Sequence, residues 1–314
     1  MKIITFEDIK NMNIDPVKCY DWVCEMIKNK RNTILPAKIS LSSRDGMFMN
    51  TMPCILNENW GGVKVVNRYP ERKPSLDSKL LLLDNETGEF LALMDANWIT
   101  AMRTGAVATH SIMQFAKSGF STIGMLGLGN TCRSTLLVLA SVLKDRKLKI
   151  KLLRYKDQAE DFIQRFADFN NLEFTIVDTN EELVKGSDVI VSCVTYFGED
   201  LCSDDCFDEG VLVVPVHTRG FTNCDLFFDK VYADDYGHVH HFKNFDKFKY
   251  FAEACDVVNG LAEGRKNDKE RILAYNIGLS IHDINYAAQI YEMIKDNVEL
   301  LDIDMRDPED KFWI

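Results

Sequence analysis

Apolar residues take helical spacing soon after Asp15-Pro16, a pair that starts helices: Val17, Tyr20, Trp22, Val23, Met26 and Ile27 follow within a few turns. Residues 1 to about 32 therefore read as a short strand and then a helix. The pattern then shortens. β-prone runs follow one another at 39–41, 47–49, 62–66, 79–83 and 90–94, with Asn85-Glu86-Thr87-Gly88 as a hairpin turn between the last two. Consecutive strands with short connections predict a meander rather than βαβ units. Helical spacing returns from about 98 to 116, carried by Ile99, Met102, Ala106, Ala108, Ile112 and Phe115. After 117–120 the rhythm becomes strand, helix, strand: strands at 123–126, 148–153, 174–177, 189–193, 211–216 and 230–233 alternate with helices near 131–144, 157–168 and 180–185. That alternation predicts a doubly wound parallel sheet. A long helix, 281–294, closes the pattern and is placed to fold back onto the first region.

The most informative junction in the alternating half is Gly127-Leu128-Gly129-Asn130-Thr131-Cys132. It leaves a short β run and enters an apolar stretch with helical spacing. Gly127 permits a tight turn, and Gly129 allows a pyrophosphate to come close to the backbone. The following helix, beginning at Asn130 and Thr131, offers unpaired N–H groups and a positive dipole end to phosphate. Cys132 takes the third fingerprint position, where a small residue permits close helix–strand packing. Cofactor choice is read at the end of the next strand, at Arg154-Tyr155-Lys156-Asp157. Arg154 and Lys156 suit the extra phosphate of NADP, whereas Asp157, slightly late, keeps NAD as the alternative. Val194 and Thr195, after the fourth strand, are expected to line the cofactor groove.

Composition narrows the classes. The chain has 314 residues, room for two domains, with ordinary hydrophobic (46%) and charged (27%) content. A net charge of −11 and the lack of a basic stripe argue against a nucleic-acid partner. The first residues include acidic side chains where a signal peptide has its apolar core, and there is no apolar run long enough for a bilayer. A cytoplasmic protein without membrane partner is expected. Nine cysteines without framework spacing read as small buried hydrophobes in a reducing compartment. Neither Cys202-Ser-Asp-Asp-Cys206 nor His238-Val-His-His241 has the partners of a metal site, although on an alternating strand His238 and His240 would share a face. No metal is expected.

The stretch from Leu83 to Ala106, with Thr87-Gly88, Asp95 and Ile99-Thr100-Ala101-Met102-Arg103-Thr104, resembles the ornithine cyclodeaminase/mu-crystallin family. Met52-Pro53, then Gly62-Val63-Lys64-Val65, the Gly127-Leu128-Gly129 turn and Asn276-Ile277-Gly278 through Asp283 fit in the same order, and the likeness spans roughly 33 to 295. It implies an α/β fold in which a Rossmann doubly wound parallel sheet (118–280) is inserted into an α+β substrate-binding and dimerisation domain (1–117 plus 281–314). A homodimer and a nicotinamide cofactor, with NADP(H) preferred over NAD(H), are further implications. The substrate would be an amino acid or imino acid.

Carried over by motif, Lys64 and Arg103 are candidates to hold a substrate carboxylate, Arg103 through its planar fork, and Lys64 to move a proton at the reacting nitrogen. Their ordinary alternatives are a lysine snorkelling off a strand and a surface charge. Lys38 stands where many members carry an arginine and keeps the charge without the fork. Thr104 and Gly278 are candidate cofactor contacts, Gly278 on the nicotinamide side. Asp95 is expected to be structural, capping the helix that follows, and for Thr100 a structural and a site role both stand open. One departure matters. Cyclodeaminases place an aspartate in the loop after the strand at 211–216, where this chain reads Val216-His217-Thr218-Arg219. His217 can serve as acid or base there, and a hydrogen-bonded loop histidine is the equal alternative.

The leading expectation is an NAD(P)-dependent oxidoreductase that reduces a C=N bond beside a carboxylate or dehydrogenates the amino acid. Alternatives are ornithine cyclodeaminase, which needs the missing loop acid, opine or diamino-acid synthesis, and a non-catalytic NADPH-binding protein.

Overall fold

The computed structural model describes residues 1–195, 197–216 and 220–304. In chain order the first elements are β1 (Lys2–Ile4), α1 (Phe6–Asn11), α2 (Pro16–Asn29), β2 (Ile39–Leu41), β3 (Phe48–Ile55), β4 (Trp60–Arg68), β5 (Leu76–Asp84), β6 (Phe90–Asp95) and α3 (Asn97–Phe115). Next come β7 (Thr122–Leu126), α4 (Asn130–Val142), β8 (Leu148–Leu153), α5 (Gln158–Arg165), β9 (Leu172–Val177), α6 (Asn180–Val184), β10 (Val189–Ser192) and β11 (Leu212–Pro215). The last are α7 (Cys224–Phe227), β12 (Lys230–Ala233), α8 (Tyr236–Val239), β13 (Phe251–Glu253), α9 (Ala254–Val258), β14 (Ile272–Tyr275) and α10 (Ser280–Ile294). Contacts divide the chain into two compact units. One holds Met1–Asn13, Asn32–Thr100 and the described residues from Ser280 on; the other holds Ile14–Arg31 and Ala101–Leu279.

The first unit is built on a sheet of order β1-β6-β5-β4-β3-β2, antiparallel except for the β1–β6 pair. This is the expected meander. The hairpin turn at 85–88 forms because the Asp84 carboxylate accepts from the amides of Glu86 and Thr87 (both 2.9 Å) and Gly88 supplies a φ of +78°. Alternation along β5 buries Leu80 and Leu82 fully, and the same face of the sheet packs against α10. Gly62 makes that packing close: a Cβ there would sit 2.5 Å from the Leu81 carbonyl oxygen and 2.9 Å from Ile284 Cδ1.

The second unit carries a parallel sheet of order β13-β12-β14-β11-β10-β7-β8-β9. Its central strands β10, β11 and β14 are buried along their whole length, as expected for Val/Ile/Leu runs covered on both faces. One core layer joins Ile112 and Phe115 of α3, Leu136 and Leu139 of α4 and Phe162 of α5 to the sheet. The opposite layer joins Leu183, Val184, Phe221 and Phe228. The chain runs β7–β8–β9 outward in one direction and returns to place β10 on the other side of β7. The carboxyl ends of β7 and β10 thus flank a topological switch point, where such sheets take ligands. Helix starts are fixed locally, by Asp15 ahead of Pro16 at α2 and by the Thr179–Glu182 capping box at α6. His238 lies on the short helix α8 and not on a strand, so it and His240 do not share a face through strand alternation.

Replacing Gly62 with alanine should lower unfolding stability by about 1–3 kcal/mol, because the added methyl meets backbone that cannot retreat cheaply. Urea unfolding checks this, and a change within error of zero would show that α10 has slack.

Candidate active site

In the first unit Lys64 lies mid-strand on β4, opposite Met52 of β3 and Leu80 of β5. Period-two alternation puts Gly62, Lys64 and Val66 on the buried face. Lys64 and Asp283 of α10 are both fully buried, and Lys64 Nζ lies 2.8 Å from Asp283 Oδ1. The ammonium also donates to Thr100 Oγ1 (3.4 Å), whose hydroxyl donates to Ser78 Oγ (3.3 Å). Nearby, burial and the Asp283 charge push the Cys54 thiol up to about 12, keeping it an uncharged wall. Ser280 Oγ donates to the Pro53 carbonyl (2.9 Å), tying the first turn of α10 to β3. This is not a snorkelling lysine. Lys38 is half-buried just before β2. Asp95 is an anchor for α3, its Oδ1 accepting from the Asn97 amide (2.9 Å) and its Oδ2 from Lys79 (3.0 Å).

In the second unit Arg103 of α3 is buried, with Thr104 half-buried beside it. Gly278 passes so close that a Cβ on it would lie 2.8 Å from Arg103 Nη1, and its φ of +91° also suits glycine. The Gly278 amide donates to Asp234 Oδ2 (2.8 Å), which holds this backbone in place. Lys30 donates in turn to the Asp234 carbonyl oxygen (2.7 Å) and pairs with Asp235 (2.7 Å) and Glu253 (2.9 Å). Gly105 brings α3 onto the start of α4: its Cβ would be 2.4 Å from the Ser134 carbonyl carbon, and Ser134 Oγ donates to the Ala101 carbonyl (2.7 Å).

The G-x-G turn leads into α4 as the sequence predicts. Gly127 has φ +76°, and a Cβ there would strike the Val194 amide nitrogen at 2.5 Å, so the turn and the segment after β10 need glycine to pass. Among the described residues Gly129 faces open space within 4 Å, its chain neighbours aside, and it caps α4 with no side-chain hydrogen bond. The amides of Asn130 and Thr131 therefore begin a helix whose end is fit for an anionic group. Val194 is half-buried and Thr195 exposed at the same rim. A dinucleotide pyrophosphate fits this cradle by shape and by dipole. Arg154, at the end of β8, is held by Asp178 (2.7 Å) and Glu160 (2.8 Å), and Lys156 adopts φ +51°. His217 lies outside the described residues.

Among the described residues the cluster able to hold a metal ion is Glu253, Cys255 and Asp256. Lys30 and Arg31 already compensate its carboxylates (2.7–2.9 Å), so it is an ion-pair network by its contacts.

The sequence model of the ornithine cyclodeaminase/mu-crystallin family matches residues 5–298, nearly the whole chain. The chain belongs to that family. A Delta(1)-pyrroline-2-carboxylate reductase of Bacillus thuringiensis subsp. konkukian is 26% identical over 314 residues, covering 93% of this chain and 96% of its own. An N-((2S)-2-amino-2-carboxyethyl)-L-glutamate dehydrogenase of Staphylococcus aureus is 26% identical over 260 residues, covering 74% and 73%. Among solved structures, an archaeal alanine dehydrogenase dimer with bound NAD superposes with a TM-score of 0.85 at 22% identity, covering 98% of this chain and 99% of that one. The likeness confirms the α/β fold with its Rossmann-type sheet. No helix among the described residues is long and apolar enough to cross a membrane, and all nine cysteines are free.

Family motifs pointed to Lys64, Arg103 and Gly278, but not to what holds them. Asp283 is the only acidic residue of 281–290 in an otherwise mostly apolar helix, a signal that could have marked it as a buried partner. Asp234 and Lys30 carried no such signal, because 204 residues separate them in sequence.

Substituting Lys64 with methionine should cost about 3–5 kcal/mol, since it strands a buried carboxylate, and Lys64→Met with Asp283→Leu should recover most of it. Urea unfolding of the three proteins checks the coupling. Equal losses in the single and double variants would deny that the pair acts as a unit.

Proposed function

We propose that this protein is a nicotinamide-dependent oxidoreductase that interconverts an amino acid and its imine, reducing a C=N bond beside a carboxylate. The observation that supports it most is Lys64: a fully buried ammonium on a strand, held by Asp283 and Thr100, within the span matched by the family. A dinucleotide on the α4 cradle would supply hydride transfer to carbon. The chain's own residues supply orientation and protons, a large share of such catalysis. Lys64 is the proposed proton carrier at nitrogen, and Lys38, Lys64 and Arg103 the proposed carboxylate holders. His217 is a second acid–base candidate. Gly127, Gly129, Asn130, Thr131, Thr104, Val194, Thr195 and Gly278 are proposed to take the cofactor.

The same proposal divides the chain into a substrate and dimerisation part (1–117 plus 281–314) and a dinucleotide part (118–280). It makes the protein a homodimer, in keeping with the dimeric alanine dehydrogenase. The free cysteines suit a reducing compartment such as the cytoplasm. NADP(H) preference rests on Arg154 and Lys156. Asp178 and Glu160 aim the Arg154 fork and compete for it with a 2′-phosphate.

Nicotinamide absorbance tests the reaction. NADPH oxidation with a cyclic imino acid is expected, and ammonia plus proline from ornithine without net cofactor change would replace the proposal with cyclodeaminase. In the active enzyme Arg103→Lys should raise KM for the imino acid by about 10-fold or more, as a bidentate grip becomes a single contact; an unchanged KM would remove Arg103 from the substrate.

Asp178→Asn should raise the NADPH-over-NADH ratio of kcat/KM several-fold, by about 2–5, because it releases a guanidinium nitrogen for phosphate. A ratio unchanged or shifted toward NADH would separate Arg154 from cofactor choice.

A further inference from the structure

The second unit contains a cavity of about 350 Å³ at the carboxyl end of β14 and beside α7, at the small end of the size range of ligand pockets. Its buried surface is Asp225, Tyr275 and Phe221; Phe242 is half-buried, and His241 and Lys243 are exposed. Asp225 is 2% exposed, and it accepts from the Tyr275 hydroxyl (2.7 Å) and, at longer range, from Asn244 Nδ2 (3.5 Å). Both donors are neutral. Burial, followed by the charge of Asp200, pushes this carboxyl up to about 6 even though Tyr275 and Asn244 lower it. Phe242 meets Tyr275 edge to face, with ring centroids 5.1 Å apart at 83°, so the two rings form a corner.

A carboxylate whose hydrogen-bond partners among the described residues are neutral, set among aromatic rings, has the chemistry that recognises an organic ammonium ion. The charge is met by the carboxylate and the alkyl body by ring faces and edges. The exposed Lys243 ammonium and the His241 ring N–H suit a carboxylate at the outer end of the same ligand. We propose that this cavity binds a small amino acid through an alkylammonium group placed against Asp225, with Phe221, Phe242 and Tyr275 around its carbon chain. Nothing in the proposed redox reaction uses Asp225, and the binding requires no cofactor and no turnover.

The full-length protein, at about pH 8 so that Asp225 is ionised, is titrated with 5-aminopentanoate, butylammonium chloride and neutral 1-butanol while saturation transfer to each ligand is followed by NMR. Saturable binding of both ammonium ligands is expected, with 1-butanol at least about 10-fold weaker. Asp225→Asn keeps an acceptor for Tyr275 and removes a buried charge, so it should retain its thermal midpoint and weaken ammonium binding by about 10-fold or more. If that variant fails to fold, Phe242→Ala, which removes a half-buried wall, should produce the weakening instead. No binding to the wild type, equal binding of 1-butanol, or ammonium binding untouched by the readable variant would each overturn the proposal. A protein that turns over no imine still answers this test, because its readout is binding alone.

Discussion

Two full charges with no solvent exposure, Lys64 on β4 and Asp283 on α10, meet inside the first unit and constrain how its strand and its helix pack. Removing either ion from water costs several kcal/mol, and their attraction repays this only when the geometry is good and further donors and acceptors are satisfied. The geometry of the pair is good, with Nζ and Oδ1 2.8 Å apart. Gly62 lets α10 approach β4, Ser280 pins the first turn of α10 to the Pro53 carbonyl, and Thr100 gives the ammonium a second acceptor. A leucine facing a methionine would fill the same space with no desolvation cost. A buried pair is therefore weak evidence for stability, and its presence where the family motif places a lysine is in keeping with the proposed role of the Lys64 ammonium at a substrate.

In the second unit the controlling constraint is backbone proximity. Several glycines there stand where a Cβ would collide with polar groups, and three of them on the segments of the candidate site meet three different neighbours. Gly127 lets the turn after β7 pass the segment after β10, Gly105 brings α3 onto α4, and Gly278 leaves room for the Arg103 guanidinium. Gly129 is the contrast: among the described residues, its two chain neighbours aside, nothing lies within 4 Å of where its Cβ would be. Space over an uncapped helix start is what an incoming phosphate needs, whereas space filled by backbone is what a fixed scaffold needs. The glycines of one short motif thus divide into scaffold and cradle by what surrounds them.

Much of this architecture was legible in the sequence where local pattern is enough. The hairpin at 85–88, the helix at Asn97–Phe115 and the alternation from β7 to β11 follow from period, turn residues and caps. The strand Ile272–Tyr275 and the short elements between β12 and it did not, because four residues carry too little period to identify and their burial is set by the sheet around them. For the candidate site, motifs supplied the residue types but not their supports. Lys64 needs Asp283, 219 positions away by their numbers, and the Arg103 environment needs Asp234 and Gly278. Such pairings belong to topology, and one sequence does not disclose them.

Two buried aspartates show why the environment, rather than the residue, carries the chemistry. Asp283 faces an ammonium and forms an ion pair with it. Asp225, also buried, faces a phenol and a carboxamide, and among the described residues its burial is answered by the hydrogen bonds these two donate. A carboxylate paired with a cation has its charge compensated within the fold. One stabilised only by neutral dipoles keeps a field that an approaching cation can satisfy. Asp225 lies in none of the motif stretches that carry the family resemblance. Its position beside an aromatic-walled cavity, and not its place in a motif, makes it a recognition group.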